Sequence, residues 1–194
     1  MTKQEVQNNI RYNENLVNQY QREINSLNSQ VRTLNSRISQ LNSQIGSLNS
    51  RKQTLSNEIA ELQRLKTKLQ GLRDNFSARQ SKRVSGFNRN TTQVLSVKFI
   101  ASYISGMRDL LSGQEYRNTY NGLTTAIDKV GNQISAKQRE FDSAQNQINT
   151  AQRNIDSARR EINSCNSRIS QKNSDLSYRR RRIQYWKDQL PYAT

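Results

Sequence analysis

Residues 27–50 read LNSQVRTLNSRISQLNSQIGSLNS, and their spacing decides the fold. Leu27, Leu34, Leu41 and Leu48 recur every seven residues, each followed by Asn and Ser, while Val31, Ile38 and Ile45 fall between them. Apolar residues alternating three and four apart make a heptad, with Leu at d and β-branched residues at a. Asn then lies beside the seam and Ser on the solvent side, so this low-complexity stretch reads as helix.

The same register extends both ways. The a column runs Ile10, Val17, Ile24, Val31, Ile38, Ile45, Lys52, Ile59, Lys66, and the d column runs from Val6 through Asn13, Tyr20 and Leu27 to Leu55, Leu62 and Leu69. Asn13, Lys52 and Lys66 are its polar interruptions. A second array follows: Ile127, Ile134, Phe141, Ile148, Ile155, Ile162, Ile169, Leu176, Ile183, Leu190. Its companion column is smaller and more polar: Val130, Lys137, Ala144, Ala151, Ala158, Cys165, Lys172, Arg179, Trp186. Each array spans 63 residues, from Val6 to Leu69 and from Ile127 to Leu190, or about 95 Å of helix.

Equal reach favours folding back, with the large Leu and Ile of the first helix against Ala and Cys of the second. The expected fold class is therefore all-α: a long antiparallel coiled-coil helical hairpin with a short middle helix packed at one end, in a single elongated domain over residues 1–194. β-branched a residues with Leu at d also suit a parallel dimer, so a monomeric hairpin and a homodimer are the two assemblies to distinguish. Helices are expected at 3–85, 91–112 and 114–190. Gly86 marks the first break, Thr91 or Thr92 is suited to cap the middle helix, and Gly113 permits reversal into the last. In the middle helix Ile100, Tyr103, Ile104, Met107 and Leu110 share one face at i, i+3, i+4 spacing, a candidate partner-binding surface.

Only 32% of the 194 residues are hydrophobic and the mean hydropathy is -1.00, so a thick globular core is out of reach. With seven Gly and one Pro there are few helix breakers. The absence of His removes the commonest general base and metal ligand, and the lone Cys165 has no His with which to form a thiol dyad. No Gly-rich phosphate loop or metal-ligand spacing occurs, so neither a catalytic residue, a metal site nor a cofactor is expected, and the chain is not expected to be an enzyme. The longest apolar run, Val94 to Ile104, is too short to span a membrane and includes Lys98. Met1 to Asn13 lacks the apolar stretch of a secretory signal, which suggests a cytoplasmic protein or one exported without a cleavable signal.

Charge is the strongest compositional signal, with 31 Lys and Arg against 15 Asp and Glu for a net +16. Arg64, Lys66, Lys68, Arg73, Arg79, Lys82, Arg83, Arg89 and Lys98 face a single acid, Asp74, and make a basic end. An acidic protein partner, or a nucleic acid or other polyanion, would suit it. Arg179 to Arg182 splay around a helix and do not line one groove. Tyr178, Tyr185, Trp186 and Tyr192 gather near residue 190, with Trp186 on the seam.

Leu111-Ser-Gly113-Gln-Glu-Tyr116, followed by Tyr120-Asn-Gly-Leu123 and the Ile-rich array, resembles the YwqH-like small helical proteins of the wider WXG/ESAT-like group. In that group a Trp-x-Gly turn joins two helices; here Leu111 occupies the Trp position, Gly113 is kept, and Tyr116 follows. The Tyr-x-x-x-Asp/Glu export signal of some members has no counterpart after Gly113. The resemblance implies a non-enzymatic partner that binds the helical N-terminal region of an LXG-type toxin for type VII secretion.

Leu41→Asp places a carboxylate in the apolar seam with no cation to meet it. It is expected to cost about 2 kcal/mol or more, read as a lower midpoint of the helical melting curve by circular dichroism.

Overall fold

A computed structural model describes residues 1–91, 102–107, 109 and 113–194. Helix α1 is Lys3–Thr91, a short α2 covers 102–107, and α3 is Gln114–Gln189, closed by a 3-10 turn Leu190–Tyr192 that holds Pro191. The described residues contain no strand. The protein is an all-α helical hairpin, and its chain divides into two compact units. Unit 1 joins Met1–Leu48 to Asn146–Thr194, and unit 2 is Asn49–Gln145.

In unit 1 the pairing is antiparallel. Asn13 meets Arg179, Glu23 meets Lys172 and Gln30 meets Cys165, so numbers rise along α1 as they fall along α3. Its core contains Val6, Ile24, Leu27, Ala151, Ile155, Ala158, Cys165 and Leu176. Ile155 and Val6 are its most deeply buried side chains, at 1% and 0% exposure. Leu34, Ile38, Leu41, Ile45 and Leu48 are half-buried, as are Ile148, Ile162 and Ile169. The Ala and Cys positions of α3 are sealed, whereas the Leu and Ile of α1 from Leu34 to Leu48 stay partly open.

Unit 2 is also antiparallel, with Lys52 beside Gln145, Glu58 beside Lys137 and Ser77 beside Tyr116. Its buried residues are Leu55, Ile59, Ile104, Ile127, Val130 and Ala144.

So polar a pair of helices needs local support, because Asn and Ser are indifferent helix formers. Gln side chains donate to Asn or Asp one turn ahead at Gln4–Asn8, Gln53–Asn57, Gln138–Asp142, Gln171–Asp175 and Gln184–Asp188. Each such pair contributes about 0.2–0.5 kcal/mol. Hydroxyls such as Thr33, Thr54, Thr150 and Ser167 donate to the carbonyl four residues back, which satisfies them without tertiary partners. The start of α1 is a capping box: Thr2 Oγ1 accepts from the Glu5 amide at 3.2 Å and Glu5 Oε2 accepts from the Thr2 amide at 2.8 Å.

One boundary differs from expectation. α1 passes through Gly86 without a break and ends at Thr91. One Gly in a helix interior costs only about 1 kcal/mol, too little to end a helix of 89 residues. Thr91 is the last residue of the α1 span; Thr92 lies outside the described residues, as does most of the expected 91–112 helix apart from 102–107 and 109.

Ile155→Ala should cost about 2–5 kcal/mol by loss of buried methyls and the cavity left behind. The exposed Leu72→Ala should stay within about 0.5 kcal/mol of wild type. Urea unfolding midpoints of the two variants check both.

Candidate functional site

Every polar residue in the seam raises the same question: what meets it across the pair? Asn13, at a d position and 3% exposed, accepts from Arg179 at 3.2 Å and donates to the Asn9 carbonyl at 2.7 Å. Arg179 also lies over the Tyr12 and Tyr178 rings, at 5.9 and 5.4 Å. Lys172 pairs with Glu23 at 2.7 Å and caps the Tyr20 ring at 4.6 Å. In unit 2 Lys52 donates to Gln145 and lies 4.7 Å from the Phe141 ring centre. Lys137 pairs with Glu58 at 2.9 Å, and Arg51 with Glu140 at 3.1 Å. Long aliphatic stems thus fill the seam while their charged heads reach a partner or ring face at its edge.

The turn residues are partly described. Gly113 precedes α3, and its carbonyl accepts from the Arg117 amide at 3.3 Å. Tyr116 is anchored: its ring stacks on Phe76 with centroids 5.1 Å apart, and its hydroxyl lies 3.4 Å from Ser77 Oγ. Tyr120 follows at 6.1 Å and faces the Arg73 guanidinium at 5.8 Å. Phe76, Tyr116 and Tyr120 form an aromatic clasp that the sequence reading missed. Its signal was present, since Phe76 extends the first d column and Tyr116 and Tyr120 extend the two columns of the second array. Leu111 lies outside the described residues.

Of the candidate partner-binding set, Ile100 and Leu110 are also outside the description. Tyr103 is 61% exposed, Met107 is half-buried and Ile104 is 5% exposed. Of the three described, only Tyr103 offers most of its surface.

The basic end is real surface. Arg64, Lys68, Arg79, Lys82, Arg83 and Arg89 are exposed, with no ion pair among the described residues. Lys66 is half-buried at its a position, Arg73 is held by Asp74 at 3.1 Å, and Lys98 falls outside the description. In the last turns of α3, Arg182 covers both Tyr185 and Trp186 at 5.1 Å. Trp186 is half-buried, whereas Tyr185 and Tyr192 are exposed.

The described surface includes two grooves. In unit 1 a groove of about 610 Å³ is lined by Ser26, Ser29, Gln30, Leu34, Cys165 and Arg168, with polar and apolar surface in nearly equal parts. In unit 2 one of about 450 Å³ has an apolar floor of Leu62, Leu65 and Ala136. Among the described residues no group of three or more His, Cys, Asp or Glu is placed to hold a metal ion, and no helix is long and apolar enough to cross a membrane. No family model, curated protein or solved structure matches the chain.

The ion pairs set a pH window. The Lys172 ammonium, together with the Gln19 amide, holds the Glu23 carboxyl below its ordinary range, and Glu23 in turn raises Lys172. Glu58 likewise raises Lys137. A lowered Glu23 contributes above its unfolded pKa and ceases to as pH falls through the folded value; the raised lysines contribute below theirs until pH rises through the folded value. The melting midpoint should therefore be level between the ordinary carboxylate and lysine ranges and fall on both sides. Glu23→Gln should flatten the acid limb in a pH series of melts.

Proposed function

We propose that this chain is a non-enzymatic helical partner and targeting protein that binds the helical N-terminal region of an LXG-type toxin for type VII secretion. The observation that supports it most is the layout about Gly113: a long helix, a short helix, a glycine entry and a long closing helix, with Tyr116 of the resembling motif locked onto Phe76. The hairpin consumes its own seam, so a partner must use the outer surface, where Tyr103 and the α1 face of unit 2 are open. Under this reading the chain works in the cytoplasm, up to delivery of the toxin, or leaves with it.

A second reading has its own support in the exposed cations between Arg64 and Arg89, which suit a nucleic acid or another polyanion. A gel-shift with duplex DNA at low ionic strength tests it, and an unshifted band there would remove it.

For the leading reading, co-expression with the N-terminal region of an LXG-type toxin is expected to give a complex that survives size-exclusion chromatography. Separate elution of the two chains would sink it.

A further inference from the structure

In unit 2 the seam does not account for all the apolar surface of α1. Leu65 and Leu72 are 45% and 59% exposed. They stand seven residues apart at g, next to the half-buried d residues Leu62 and Leu69. Residues 62, 65, 69 and 72 follow i, i+3, i+4 spacing and form an apolar stripe wider than the a/d strip of a two-helix seam. Where this stripe approaches α3, the small Ala136 leaves the 450 Å³ groove open above Leu62 and Leu65.

Charge selects the occupant. The groove itself is edged by Glu61 and Gln133 and by Glu58, whose carboxylate is held by Lys137 at 2.9 Å. Further along, Lys68 on α1 and Lys129, one helical turn before Gln133 on α3, are exposed and carry no ion pair among the described residues. Residues 62–89 hold eight cations against Asp74 alone, and Asp74 is engaged by Arg73. We propose that the Leu65–Leu72 face docks an acidic amphipathic helix, with leucines against the stripe and carboxylates against Lys68, Lys129 and Arg79. A second copy suits the face poorly, since it would set one cationic strip against another on chains of +16 each. The proposal rests on the preceding reading only in taking the partner to be helical.

The test uses the full chain and two labelled amphipathic peptides with Leu at a and d, one with Glu at e and g and the other with Lys there. Fluorescence anisotropy should show the Glu peptide binding at least about tenfold more tightly, the difference shrinking with added salt. Leu65→Ser with Leu72→Ser should weaken it by at least about tenfold while leaving the melting midpoint in place. Should that variant fold poorly, Lys68→Glu with Lys129→Glu should reverse the preference between peptides. Equal binding of both peptides, or unchanged binding by the variants, would overturn the proposal. So would a wild-type dimer in sedimentation that the serine variant dissociates, which would give the face to a second copy. Peptide binding without toxin co-purification would keep the surface and drop the toxin; the reverse would keep the toxin and drop the surface.

Discussion

A pair of helices offers each member one narrow strip in which to hide apolar surface, and charged or amide groups in that strip are best answered from across it. Asn13 is answered by Arg179, Glu23 by Lys172, Lys52 by Gln145 and Phe141, and Glu58 by Lys137. Such pairs add little net stability, but an orphaned polar group in their place would cost about 1–3 kcal/mol. Their value is that the alternatives are worse. Most of the charged heads sit at the edge of the strip, partly in water, so their stems supply packing while desolvation stays small.

That economy shapes the outside of the protein as well. Side chains that would otherwise seek tertiary partners are satisfied within their own helix, by Gln-to-Asp or Gln-to-Asn bonds one turn ahead and by hydroxyls bonded to the carbonyl behind. The outer faces are consequently uncommitted. On such a background an exposed leucine pair, or a run of cations with a single acid, is distinctive, and both occur on the same stretch of α1. The proposed functions draw on that coincidence and on the layout around Gly113.

Most of the architecture was legible because heptads are local: Leu27, Leu34, Leu41 and Leu48 announce a seam without reference to anything distant. The Ala144, Ala151, Ala158 and Cys165 column likewise foretold close packing, and all four are buried. Less legible were features that depend on register between segments far apart in sequence. Asn13 and Arg179 each read as a flaw in its own column, and only their juxtaposition gives them a purpose. Gly86 misled because a breaker's local cost was weighed without the length of helix around it. The clasp of Phe76, Tyr116 and Tyr120 was missed because the columns were stopped short of it, at Leu69 in α1 and at Ile127 and Val130 in α3. The candidate site was the least legible part, since the side chains that distinguish it, Leu65 and Leu72, fall at g beside the seam, where sequence alone does not tell whether α3 covers them.

The Leu-Asn-Ser repeat has one further consequence. Four identical units seven residues apart are blind to sliding: a shift of one heptad returns Leu to Leu's place. The aperiodic pairs outside the repeat are not blind. Sliding α3 by one heptad in one direction would carry Lys137 from Glu58 to Arg51, cation against cation, and in the other to the apolar Leu65. The repetitive stretch supplies grip while the odd residues supply the address, much as a ruler needs both its even ticks and its numerals.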